Sequence, residues 1–298
     1  MRWKTKALVQ TVFSRVPRGE ALNYLCQRRV LKSLPIDGVI FADLVASGRR
    51  HMANLARHAM APLDQGRFFE FGAGRDLVVP LVLWSEGVNH QLLIDIRRLA
   101  QPDLVQDAMR RLGALGVPRE LPAQTTSANK DLAGILRPLG IEYAAPCDGR
   151  RTGRADGSVD YVTSTSTLEH IPPADIRLIL RELRRILRPG GVASLCIDYQ
   201  DHYSYSDPSI SVYNFLQFED ADWAKWSPSL QFQNRLRHSD HVAILRDEGF
   251  VVLEEDRVEG SPEDLEMLGG MSLATPFRDR DPRDLAVHSA FVTVTPAA

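Results

Sequence analysis

Apolar residues fall into short blocks along this 298-residue chain, and the spacing within the blocks predicts an alternation of strands and helices. Phe68-Phe-Glu-Phe71 reads as the end of a buried strand, because aromatics favour a pleated, two-sided environment. A turn containing Gly72 and Gly74 follows, and the apolar run Leu77 to Trp84 then reads as a helix. Further strands are predicted at Gln91–Ile94, from Ile141 to Ala145, within Gly157–Ser164 and from Val192 to Asp198, with the last two at Phe250–Asp256 and Ala286–Val294. Helices are predicted at about Pro102–Leu115, at about Ser127–Leu139, and leading through Leu183 to the helix stop Pro189-Gly-Gly191. Ahead of the first strand, helical stretches fall at Trp3–Phe13, near Ala21–Lys32 and near Phe41–Ala61.

The first strand and its turn carry the most chemistry. A strand, a tight glycine turn and a helix let a ligand approach backbone amides at a helix N-terminus. Glu70 argues against a pyrophosphate ligand by its charge, and the third glycine of a dinucleotide fingerprint is replaced by Leu77. A carboxylate there suits a ligand with an amino group and a positive centre. Glu70-Phe-Gly-Ala-Gly74 resembles the first motif of class I S-adenosylmethionine-dependent methyltransferases. Four more segments resemble that family in order: Gln91-Leu-Leu-Ile-Asp95, the stretch from Ile141 to Asp148, Gly157–Ser164 with the Thr165–Pro172 loop, and Leu183–Gly191 with the strand after it.

That resemblance covers roughly residues 68 to 200 and implies an α/β fold. The implied fold is a Rossmann-like, doubly wound, seven-stranded, mostly parallel sheet, with S-adenosylmethionine as cofactor. Glu70, Gly72, Ala73 and Gly74 would cradle it, Asp95 would accept from the ribose hydroxyls, Asp148 from an adenine amino group, and Ser164 and Thr165 would meet it at the fourth strand tip. Each position also has a local reading. A lone glycine turn needs no ligand, Asp95 could be a solvated strand-end acid, Asp148 could close an Asx turn, and Asp160 could be a turn residue. Asp76 reads as a helix cap or first-turn acid, with Pro80 one turn in, where its missing amide costs little. Two rival functions stay open: a non-catalytic cofactor-binding module acting through partners, and a nicotinamide-dependent oxidoreductase.

Composition narrows the class. The three cysteines (Cys26, Cys147, Cys196) are far apart and lack any C-x-x-C spacing, which argues for a reducing compartment and against a disulfide scaffold or structural zinc. No apolar run reaches the roughly 18 residues of a spanning helix, and polar residues break the basic N-terminal stretch as a signal peptide, so a cytoplasmic location is expected. Residues 1 to 67 carry 12 Lys and Arg against 4 Asp and Glu, a net of +8, while the remainder carries 24 against 34, a net of −10. We therefore divide the chain into a basic helical N-terminal extension (1–65) and a catalytic domain (66–298). Either the extension packs on the acidic domain, or it makes a weak peripheral contact with an anionic membrane or partner. Leu8, Val9, Val12 and Phe13 cluster at helical spacing and are expected to face the core. The acidic balance, with no basic–aromatic interleaving, argues against nucleic acid.

Residues 199–232 hold nine of the chain's 22 aromatics. They open an insertion, 199–246, that leaves the fifth strand where doubly wound folds bind ligands. Its rings are expected to divide between anchoring and a dry lid over an acceptor pocket. Methyl transfer asks for alignment and exclusion of water, and a hydroxyl acceptor benefits from a base. His170 is one candidate base, its pKa about 6.5 if unperturbed; Asp201 with His202 is the reserve pair. His238 and His241, at i and i+3, bring no third ligand, and no metal is expected. The expected activity is methylation of a small-molecule or glycan-type acceptor, at oxygen. The oligomeric state is not legible.

Overall fold

A computed structural model describes residues 2–17, 19–122 and 131–297. Seven strands form one sheet: β1 (Arg67–Phe71), β2 (His90–Ile94), β3 (Ile141–Ala144), β4 (Val159–Thr165), β5 (Leu187–Asp198), β6 (Phe250–Val258) and β7 (Ser289–Pro296). Their order is β3-β2-β1-β4-β5-β7-β6, with only β7 antiparallel to its neighbours. The order reverses between β1 and β4, the switch point at which such sheets open a crevice at their carboxyl ends.

The described helices are α1 (Trp3–Arg15), α2 (Gly19–Leu25), α3 (Gly38–His58), α4 (Val78–Ser85), α5 (Pro102–Ala114), α6 (Leu132–Leu136), α7 (Pro173–Ile186), α8 (Asp220–Trp223), α9 (His238–Asp247), α10 (Pro262–Gly270) and α11 (Pro282–Ala286). α3, α4, α5 and α6 bury their apolar sides on one face of the sheet, and α7 with α9 on the other. α7 shows why: Ile176, Ile179, Leu180, Leu183 and Ile186 recur at helical spacing and are all buried. Each such side chain contributes about 1.5–3 kcal/mol on burial.

Most sequence expectations land within a residue or two, and the departures have physical causes. The helix expected at Ser127–Leu139 is α6 from Leu132, followed by a 3-10 turn; Ser127 to Lys130 lie outside the described residues. Pro189-Gly-Gly191 does not separate a helix from a strand. It sits inside β5 as an irregularity, with Gly190 at φ +75° between the pairs Val159–Leu187 and Tyr161–Val192. Asp160 belongs to β4, where it accepts from the Arg67 amide and pairs with Arg188. Ala286 ends α11 rather than opening β7.

The N-terminal helices are built into the rest. α3 packs on α4, and its buried His51 bonds Ser194 of β5 (2.8 Å) and Thr165 of β4 (3.0 Å); burial lowers the ring's pKa to about 3. α1 corrects an expectation of facing. Trp3, Ala7 and Gln10 are its buried positions, whereas Leu8 and Val12 are well exposed. Trp3 decides this: its ring meets Tyr203, Phe218 and Trp226 of the insertion, and its amide bonds Asp207. Much of the basic excess is matched across the fold, in Arg28–Asp103, Arg49–Glu86, Arg50–Asp256 and Arg57–Glu254. No described helix is long and apolar enough to cross a membrane.

Candidate cofactor and acceptor site

The cofactor side forms where β1 and β2 end. Gly72 and Gly74 have φ of +75° and +81°, a region L side chains rarely adopt. A Cβ on Gly72 would fall 2.2 Å from Thr167 Oγ1, so this glycine exists because the loop after β4 crosses it. A Cβ on Gly74 would meet nothing within 4 Å, so that side of the turn is open. Leu77, at φ +55°, leads into α4, and Asp76 accepts weakly from the Val78 amide (3.4 Å). Asp76 is therefore neither the helix cap nor a first-turn acid: Leu77 takes the cap position and Asp76 lies one residue outside it.

Two buried carboxylates flank this turn. Glu70 accepts from Thr163 Oγ1 (2.9 Å); burial raises its pKa to about 7, with the Thr163 bond opposing and the Asp95 charge adding. Asp95 follows β2 and accepts from the Tyr143 hydroxyl (3.0 Å), which itself receives the Leu99 and Ala100 amides. Burial lifts Asp95 to about 7 against the opposing Tyr143 bond, the Gly74 amide, Arg97 and Arg75. Glu20 of α2 takes salt bridges from Arg75 and Arg97, so the N-terminal helices tie down both cofactor loops. Two buried acids with few donors, beside an open glycine turn, fit a ligand that brings hydroxyl donors and positive charge.

Three expected contacts have other partners. Asp148 is half-buried and its carboxylate is gripped by the Arg150 side chain and amide, the turn chemistry the sequence also allowed. The Arg150 hydrogen bond is the main reason its pKa is lowered. Ser164 is buried and donates to the Phe71 carbonyl, clamping β4 to β1 (3.0 Å). Thr165 bonds His51. Ala73 packs at the margin of the core on the α4 face.

A second cluster forms where β4 and β5 end. A 3-10 turn, Leu168–His170, follows β4, and Asn234 of the insertion staples it, donating from Nδ2 to the Leu168 and Ile171 carbonyls and from its amide to the Glu169 carbonyl. His170 Nδ1 lies 2.7 Å from the Phe232 carbonyl, which can only accept, so Nδ1 carries the proton and Nε2 keeps its lone pair. Burial foremost, with the neighbouring His202, lowers the His170 pKa to about 4, well below the unperturbed value expected from sequence. The two rings meet edge to face, 4.8 Å between centroids.

His202 is not oriented by Asp201. Its Nε2 bonds Asp198, at the end of β5 (3.1 Å), and Tyr205 stacks on its ring. Tyr205 also donates to Asp198. Burial opposes the Asp198 charge, yet the bonds from His202, Tyr205 and the Gln200 amide together hold its pKa low. Asp201 is fully buried and accepts from the Tyr203 amide and Asn214, so it braces the insertion and is not a reserve base. Glu169 is 2% exposed with no hydrogen-bond partner on either carboxylate oxygen. Burial, foremost, and the Asp198 charge push its pKa well up, although the amides of Glu169 and Asp198 lie near enough to favour the anion slightly. Glu169, Asp198 and Asn234 were not candidates from sequence, although Glu169 and Asp198 lay inside quoted motifs.

The aromatic insertion is mainly anchored. Tyr203, Tyr213, Phe215 and Trp223 are buried in one cluster with Trp3 of α1, Leu268 of α10 and Leu285 of α11. Tyr205, the exposed ring, is the one that stacks on His202 beyond β5. His238 bonds Tyr199 and Glu255, and His241 is buried, so that pair serves the core.

A family model described as a methyltransferase domain matches residues 123–195, less than half of the chain. The matched segment lies within the ordered motifs and spans β3, β4 and most of β5 of the sheet. The chain thus carries a methyltransferase domain with the Rossmann-like, seven-stranded architecture expected of the class I enzymes. S-adenosylmethionine is the cofactor of such a domain.

No curated protein matches the sequence. Similar solved structures include an S-adenosylmethionine-dependent methyltransferase from Methanosarcina mazei, at 13% identity over 82% of this chain and 96% of that one, with a TM-score of 0.48. A chain from the complex between the Haloferax volcanii Trm112 methyltransferase activator and its methyltransferase partner shares 18% identity over 87% and 98%, with a TM-score of 0.47. The cyclase SpnF shares 13% over 85% and 83%, with a TM-score of 0.46. Likenesses at these scores decide nothing about acceptor or partner.

Proposed function

We propose that this protein transfers a methyl group from S-adenosylmethionine to an oxygen of a small-molecule or glycan-type acceptor, bound over the ends of β4 and β5. The observation that carries this reading is His170, whose Nδ1–H is committed to the Phe232 carbonyl and whose Nε2 is left as a base. When bound, the cofactor supplies an activated methyl whose departure converts a sulfonium to a neutral thioether. As the acceptor oxygen bonds that methyl, its proton passes to the imidazole, which burial keeps neutral near pH 7. Asp198 holds His202 beside it, and the Asn234 staple keeps the turn in place.

The test offers methyl-labelled S-adenosylmethionine with panels of hydroxyl and amine acceptors. Label in base-stable ethers supports the reading, and label confined to amines overturns the oxygen assignment. A second reading draws on α1, where Leu8 and Val12 stand exposed on a basic helix. It treats the chain as a non-catalytic cofactor-binding module that acts through a partner. Tight cofactor binding with no turnover on any panel would favour it.

A further inference from the structure

We propose that Glu169, His170 and His202 form a site for one divalent transition-metal ion of the zinc or manganese type, on the acceptor side of the cofactor. Each residue offers one ligand atom, and the three atoms lie within 4.8 Å of one another. Two come from the turn after β4 and one from the segment after β5, so two chain segments converge on the same point. A tetrahedral ion with bonds of ~2.0–2.1 Å holds its ligands about 3.3 Å apart, so the three side chains close by rotation when it binds.

Three independent features favour a cation. First, Glu169 is buried with both carboxylate oxygens unpartnered. Protonation would only exchange an unpaired anion for an unpaired hydroxyl, whereas a metal ion engages the oxygen directly. Second, each histidine already gives one nitrogen to a fixed acceptor: His170 to the Phe232 carbonyl, His202 to the Asp198 carboxylate. The other nitrogen of each is left with its lone pair, the arrangement that orients metal-bound imidazole. Third, the charges balance, since a dication offsets Glu169 and the adjacent Asp198. Two imidazoles and one carboxylate select first-row transition ions over magnesium or calcium.

Three protein ligands leave coordination positions open, as catalytic sites require. An acceptor oxygen in one of them would be polarised and more easily deprotonated. This use of the ion rests on the methyltransferase reading; the binding does not. It would also reassign His170 from proton acceptor to ligand, with the ion activating the hydroxyl.

The experiment uses tag-free, full-length protein stripped with chelator and titrated calorimetrically with zinc, manganese and magnesium chlorides. The expected result is one equivalent of zinc or manganese bound, a raised melting temperature, and negligible magnesium uptake. Glu169→Gln and His202→Asn should each weaken that uptake at least tenfold while S-adenosylmethionine still binds, which shows that the variants fold. Stoichiometric uptake that both variants lose upholds the site, whether or not methyl transfer is ever detected. No stoichiometric uptake, or uptake that both variants retain, overturns it even in an active enzyme. Should His202→Asn fail to fold, Glu169→Gln decides alone, because it is nearly isosteric and removes only the charge.

Discussion

The two halves of the sheet's carboxyl edge handle buried charge in opposite ways. Beside β1 and β2, both acids have protein donors, Thr163 for Glu70 and Tyr143 with the Gly74 amide for Asp95, and an open glycine turn lies between them. Beside β4 and β5, neither carboxylate oxygen of Glu169 makes a hydrogen bond, and the residue clusters with two histidines that each already give one nitrogen to an acceptor. The first arrangement awaits a ligand that brings donors and positive charge. The second is over-supplied with lone pairs, which suits a ligand that accepts electron density. In the proposed function, cofactor and acceptor chemistry are separated by electrostatics as well as by position.

The largest expected effect falls on the cofactor half. Gly74→Val adds a branched side chain where the turn is open, at a φ that β-branched residues avoid. S-adenosylmethionine affinity should drop by a hundredfold or more, about 2.7 kcal/mol. Calorimetry that finds it unchanged would remove the glycine turn from the site. Gly72→Ala is a different experiment, because its Cβ meets Thr167 and so tests packing between the two halves.

The aromatic insertion comes next, and here the expectation has moved. Trp223 is buried and donates its indole N–H to the Gln233 carbonyl. Trp223→Ala should therefore destabilise the whole protein by about 3–5 kcal/mol. A lowered melting temperature with cofactor and acceptor affinity lost together would show anchoring. Loss of acceptor use alone, at unchanged melting temperature, would restore the lid.

These cases show what was legible in the chain. Strand-end acids such as Glu70 and Asp95 could be read because the hydrophobic block and the acid are adjacent in sequence. The facing of α1 could not, since Trp3 is drawn in by rings some 200 residues away while Leu8 and Val12 have no such partner. The acceptor cluster was half legible. His170 and His202 follow strands closely, but Phe232 and Asn234, which fix the turn and the tautomer, lie more than sixty residues further on. Asp201 was misassigned for a related reason: adjacency to His202 suggested a pair, yet in a loop neighbouring side chains diverge, and Asp198 is the one that meets the ring.

A pH series separates the halves at a smaller scale. Glu70 and Asp95 have folded pKa values near 7, raised above their unfolded values. From about pH 4 to 7 the native state holds protons the unfolded state has lost, so each acid lowers stability as pH rises through that window. His51 and His241 are depressed to about 3 and act in the reverse sense up to about pH 6.5. The contributions partly cancel, which makes melting a blunt reporter. Cofactor affinity is sharper: a cationic ligand needs the acids ionised, so binding should tighten between pH 5.5 and 7.5, by up to about 1.4 kcal/mol per pH unit for each acid. Asp95→Asn should flatten that slope, and a slope unaltered by the substitution would mean that Asp95 does not ionise on binding.

The smallest expected effect comes from a matched pair of hydroxyl deletions, one in each half. Tyr143 and Tyr205 each donate to a strand-end acid, Asp95 and Asp198 respectively. Tyr143→Phe removes the donor that most opposes the burial of Asp95 and leaves the Leu99 and Ala100 amides without their shared acceptor. S-adenosylmethionine binding should weaken by about 1 kcal/mol, roughly fivefold, and its pH dependence should move upward. Tyr205→Phe leaves Asp198 with His202 and the Gln200 amide, and Tyr205 is itself well exposed. Cofactor affinity should stay within error, while zinc or manganese uptake, which depends on how firmly Asp198 orients His202, should weaken by a few-fold. If both substitutions weaken the cofactor equally, the two halves form one electrostatic unit, and the division between an acid side that awaits a cation and a histidine side that holds one does not stand.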